Sequence, residues 1–129
     1  KAYPDQFITG AAFNPYKPAS FELDRMKQKI DAGAKFAVTQ PIMGKNDSVN
    51  RLRDFNVVVV VEAWMSKNID LFYKSVGKEK DEKAEQFDPV ENLRSLHESY
   101  PHCRVYLSML SFKQDWKAVL PKMPYRLLP

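Results

Sequence analysis

The chain has a single cysteine, Cys103, two histidines, four glycines, and no apolar run longer than the five valines at 57–61. One cysteine excludes an intrachain disulfide and a cysteine-based metal centre, and it suits a reducing compartment, so a cytoplasmic location is expected. His97 and His102 have no Asp, Glu or His at ligand spacing, and no metal is expected. A membrane span needs about 20 apolar residues, which nothing here approaches. No G-x-G-x-x-G or P-loop pattern is present, which weakens a doubly wound nucleotide-binding reading. The first residues, Lys1-Ala2-Tyr3-Pro4-Asp5, lack the apolar centre of a signal peptide and an initiator methionine. That points to processing, or to excision from something longer. The basic excess is small (20 Lys and Arg against 16 Asp and Glu), interleaved with acids, and without the Arg/Lys cluster and aromatics of a nucleic-acid surface.

What is present is the strand–helix rhythm of one α/β unit spanning residues 1–129. The run at 7–13 (Phe-Ile-Thr-Gly-Ala-Ala-Phe) predicts a strand covered on both faces, closed by Asn14-Pro15-Tyr16-Lys17-Pro18. A helix is expected over 21–33, with Ser20 as cap, Glu22 and Asp24 in its first turn and Gly33 as stop. Leu23, Met26, Ile30 and Ala34 form its apolar stripe. A strand at 36–43 follows, then a short helix carrying Val49, Leu52 and Phe55. Valines 57–61 resist a helix by β-branching and, lacking alternation, predict a strand with both faces covered. Helices are expected at 68–76 and from Asp88-Pro89-Val90-Glu91 onward, the latter opened by a capping box. Between them 78–86 is a charged connector; a fourth strand at 104–110 and a helix at 114–122 (Trp116, Val119 and Leu120 inward) complete the pattern.

Strands alternating with helices, without hairpin signals, mean four βα units on a parallel sheet. Such a sheet is either a small doubly wound one or half of a TIM (β/α)8 barrel, which when complete needs about 200–250 residues. Catalytic groups in a barrel sit at the carboxyl ends of strands. Three residues answer that description: Gln40, the polar side chain ending the second strand; Glu62, directly after the valines; and Trp64, two residues on, placed to stack on a planar ligand or to pack in the core. Apolar neighbours would raise the Glu62 pKa; otherwise it pairs with a rim lysine or arginine.

Gly10-Ala11-Ala12-Phe13-Asn14-Pro15, Lys29-Ile30-Asp31-Ala32-Gly33-Ala34 and Val38-Thr39-Gln40 together resemble the second half of the methylenetetrahydrofolate reductase family. The resemblance spans about 8–43 and implies the C-terminal half of a flavin-dependent barrel that passes a hydride through FAD to a folate one-carbon substrate. It further implies that Gln40 hydrogen-bonds the pterin ring, that Phe13 lies beside the flavin, and that Glu22 and Lys29 contact FAD. Folate-type small molecules and the remaining half of the barrel are the implied partners, and a homo-oligomer is compatible with them. Pro41-Ile42-Met43 stands in place of the family's aromatic run, and Glu62-Ala63-Trp64 in place of its Pro-Gly-Ile. The family's acidic proton donor belongs to the first half of the barrel, so this half alone is not expected to turn over substrate. Those departures leave open a non-catalytic folate- or pterin-binding relative, or a subunit of a one-carbon complex. A barrel hydrolase or lyase using Glu62 as general base is the third reading.

Overall fold

Five valines in a row form the spine of the sheet. In the computed structural model, which describes residues 7–109 and residue 113, they enter a strand running Val58–Trp64. Four parallel strands pair in sequence order: β1 (Gly10–Phe13), β2 (Phe36–Pro41), β3 (Val58–Trp64) and β4 (Arg104–Ser108). Between them lie α1 (Ala19–Asp31), α2 (Asp47–Arg51), α3 (Ile69–Val76) and α4 (Pro89–Ser99). Leu110 and the expected helix at 114–122, with Trp116, Val119 and Leu120, fall outside the described residues.

Sequential order with every pair parallel means the sheet winds in one direction, without the switch point of a doubly wound sheet. One core unites Leu23 and Met26 of α1, Val49 and Leu52 near α2, and Leu93, Leu96 and Tyr100 of α4 with Ala37, Val59, Val61 and Ala63 of the strands. Those strand residues alternate, so α1, α2 and α4 cover a single face. The opposite face carries Phe36, Val38, Val58, Val60 and Tyr106, and it is half open, with Val58 and Tyr106 each 53% exposed. The expectation that valines 57–61 and the first strand are covered on both faces is therefore corrected. Among the described residues, α1, α2 and α4 lie on the first side, and α3 reaches the second at its carboxyl end through Trp64.

The first strand is also shorter than expected and lies at an edge. Phe7 and Ile8 are solvent-exposed, and the ladder with β2 begins at Gly10. Gly10 is required for space: a Cβ there would stand 2.2 Å from the Phe36 ring.

Local signals set most helix ends. Asn68 accepts from the Leu71 N–H (3.1 Å) and Gly77 ends α3 in the left-handed region at φ 69°. Asp88 accepts from the Glu91 N–H (2.8 Å) with Pro89 at the first position. Glu91 pairs with Arg94 on the next turn instead of closing the box onto Asp88. The Ser20 cap is corrected: α1 starts two residues earlier, with Pro18 at the cap position and no side-chain cap. Glu22 turns its carboxylate back to the Asn14 N–H instead (3.2 Å).

α4 is the crossover that packs on β3, whereas α3 belongs to a second cluster. Trp64, Ile69, Phe72, Tyr73, Val76 and Ala84 pack with Tyr16, Met43 and Phe87. Tyr16 follows β1, Met43 follows β2 and Trp64 ends β3, so α3 and its connector cap the carboxyl ends of the strands. The charged connector at 78–86 contributes the buried Ala84 to this cap.

Candidate functional site

Pro41 shapes the carboxyl edge. Having no N–H, it cannot donate to the ladder. Between Val38↔Val60 and Pro41↔Glu62, β2 has one more residue than β3. The Thr39 hydroxyl steps in to accept from the Glu62 N–H (3.1 Å), and Ile42 N–H donates to the Glu62 carbonyl (3.2 Å). A bulge of this kind re-aims side chains, and bulges recur beside active sites. Here it brings Pro41 opposite Glu62, one position beyond Gln40 on the neighbouring strand.

Gln40 is half-buried, and its Oε1 is fully enclosed with no hydrogen-bond partner. A buried unsatisfied acceptor costs about 1–3 kcal/mol. Because Oε1 has no partner, turning it toward a ligand would sacrifice no bond there. Glu62 is also half-buried. Burial pushes its carboxyl above the ordinary value, opposed by a hydrogen bond from the Ser108 side chain. The Tyr16 hydroxyl donates to the Pro41 carbonyl, and burial first, then Tyr73 and Glu62, drive its pKa well above the usual tyrosine range. Tyr73 is raised by burial and by Asp81, which lies beside its hydroxyl without forming a hydrogen bond of good geometry. The site thus gathers two tyrosine hydroxyls and one carboxyl, Glu62, each with its pKa raised first of all by burial.

Trp64 is 5% exposed and meets Phe72 edge to face, centroids 5.7 Å apart at 70°. Of the two readings offered for Trp64, ligand stacking and core packing, this arrangement is packing, with α3 covering the ring. Its Nε1 is a second enclosed polar atom without a partner.

The three residues assigned to flavin contact lie elsewhere. Phe13 is fully buried against the helix-covered core. Glu22 is buried and holds Asn14, while the Lys29 ammonium donates to the Ala12 carbonyl at 2.7 Å. Glu22 and Lys29 therefore tie α1 to the end of β1. As arranged, these three residues do not fit a flavin cradle.

Gln40, Glu62 and Trp64 all lie toward the carboxyl ends of β2 and β3. Sequence reasoning missed Tyr16, Tyr73 and Ser108. Ser108 could have been found as the last residue of the fourth strand, and Tyr16 from its place in the loop after the first. Tyr73 on α3 looks like any apolar-face aromatic. The loop after β2 is secured from α4: Asn92 accepts from Gly44 N–H (3.1 Å) and donates to the Ile42 carbonyl (3.3 Å). Tyr100 accepts from Asn46 N–H (2.6 Å).

No protein-family model matches this chain, and no curated protein matches it either. Its class is therefore the one the fold defines: an α/β protein with four parallel strands in one sheet among the described residues. No helix among those residues is long and apolar enough to cross a membrane.

Proposed function

We propose that this chain supplies the C-terminal half of a (β/α)8 barrel whose carboxyl edge binds a flat, amide-bearing heterocycle of the pterin kind, with Glu62 exchanging a proton with it. The observation that carries this is the unpartnered, enclosed Gln40 Oε1 near the end of β2, with the neighbouring strand carrying a carboxyl, Glu62, whose pKa burial has raised. A pterin edge offers an N–H donor next to a carbonyl acceptor, and a glutamine amide can meet both. Support for the barrel comes from the sequential parallel order, the helices on one face and the half-open apolar second face. All-parallel sheets occur almost only with both faces covered.

In this reading Glu62, protonated more readily than an ordinary carboxyl, donates to or accepts from a ring nitrogen while Ser108 holds it in place. Tyr16 is too weak an acid for that role and serves to hold the loop onto Pro41. The folate one-carbon substrate class, and with it the oxidoreductase activity, comes from the motif resemblance around Lys29 and Thr39-Gln40. No step is routed through FAD, because Phe13, Glu22 and Lys29 are engaged with the core and with β1.

Calorimetric titration with tetrahydrofolate, and separately with FAD, tests the reading. Tetrahydrofolate should bind, and Gln40→Leu should weaken it by about tenfold, one good hydrogen bond's worth. Tetrahydrofolate binding that is indifferent to Gln40→Leu would sink the pterin role. FAD binding that depends on Lys29 would restore the flavin assignment. The hydrolase or lyase reading shares Glu62 but has no use for Gln40, so the same variant separates the two.

A further inference from the structure

At the other end of the strands, a pocket of about 530 Å³ opens between the turn after α2, the first residues of β3 and the turn leading into β4. That size is within the usual range for small-molecule sites. Leu52, Phe55, Val57 and Val59 give it apolar walls. Arg53 and Arg104 stand at its margin, both exposed, and neither makes a salt bridge among the described residues. No aspartate or glutamate lines it. The Arg53 charge reaches the interior, where it opposes the effect of burial on the Cys103 thiol.

Two unpaired guanidinium groups over an apolar cavity select their ligand by charge and shape. Arginine's planar fork matches phosphate oxygens two at a time. A phosphate monoester carries close to two negative charges at neutral pH, which two arginines balance and a carboxylate would not. Bare phosphate would leave the apolar walls empty. We propose that this amino-edge pocket binds a phosphate monoester with an apolar or aromatic body, the phosphate held by Arg53 and Arg104 and the body lying against Phe55, Val57 and Val58. The proposal is independent of the carboxyl-edge reading, since the two sites share no residue.

Cys103 lines the pocket and is the chain's only cysteine, so its alkylation reports on this site alone. With the full chain, N-ethylmaleimide modification should slow as phenyl phosphate is added, and calorimetry should give a matching affinity. Arg53→Ala and Arg104→Ala should each weaken phenyl phosphate by about tenfold, with lysine replacements restoring only part of it. Both arginines are exposed, so circular dichroism should show these variants folded. Benzoate, inorganic phosphate and benzyl alcohol should each bind about tenfold more weakly than phenyl phosphate. Gln40→Leu should leave all of this unchanged. Absence of protection, protection that survives the double arginine-to-alanine variant, or inorganic phosphate binding as well as phenyl phosphate would overturn the proposal.

Discussion

At the carboxyl edge of the sheet, polar groups are enclosed and roofed by α3; at the amino edge, two exposed arginines line an open pocket. The two edges differ because they are built from connections of different length. The carboxyl edge receives the longest one, from Trp64 to Pro89, which contains α3 and the buried Ala84 and can fold back over the strand ends. Among the described residues, short turns such as Pro101-His102-Cys103 form the amino edge. Enclosure raises the pKa of Glu62 and strands polar atoms without partners, whereas exposure keeps guanidinium groups hydrated and available.

The sharpest way to break the contrast is to remove the roof. Phe72 is 1% exposed and is the largest fully buried side chain of the α3 cluster. Phe72→Ala should cost about 3–5 kcal/mol, a large share of a typical domain's 5–15. Because α3 lies in a separate cluster, hydrogen exchange should accelerate across Ile69–Val76 while the β3 amides stay protected and Cys103 alkylation is unchanged. Equal acceleration at both edges would show the roof and the main core to be one cooperative unit.

A smaller effect is expected at the brace below the site. Asn92→Ala strips the partners from Gly44 N–H and the Ile42 carbonyl, and should cost about 1–3 kcal/mol by urea denaturation. If the loss is smaller, water has replaced the amide and the loop after β2 is less enclosed than the geometry indicates.

The smallest effect concerns pH. The folded-state pKa of Glu62 is raised above its ordinary 4.5, so the folded chain binds this proton more tightly than the unfolded chain. Its contribution is complete below the ordinary value and is lost as pH rises through the folded one. Glu62→Gln should therefore flatten the decline in denaturation midpoint between weakly acid and neutral buffer. A wild-type decline unchanged in the variant would assign the titration to another group.

Much of the architecture was legible before any coordinates. Val57–Val61 could only be a strand, Asn68 and Gly77 bracket α3, and Asp88-Pro89 opens α4, because each signal acts within a turn or two of chain. The candidate site was half legible. Gln40 and Glu62 stand where strand ends were expected, but Trp64 was offered to a ligand and Phe13, Glu22 and Lys29 to a cofactor, while Tyr16, Tyr73 and Ser108 went unnoticed. Those assignments depend on partners 8 to 48 positions away, such as Glu22 on Asn14 and Asn92 on Gly44, which no local pattern encodes.

By itself, then, the sequence determined the alternation of strands and helices, their parallel arrangement and most helix ends, through β-branching, caps and apolar spacing. Only the tertiary structure decided that α1, α2 and α4 share one face and that the valine strand keeps a half-open side. It also decided that a proline without a donor bulges β2 beside Glu62, and that α3 closes the carboxyl edge while the amino edge stays open. Burial, register and the pKa of a carboxyl are properties of what the rest of the chain brings near a residue, so they exist only once the chain has folded.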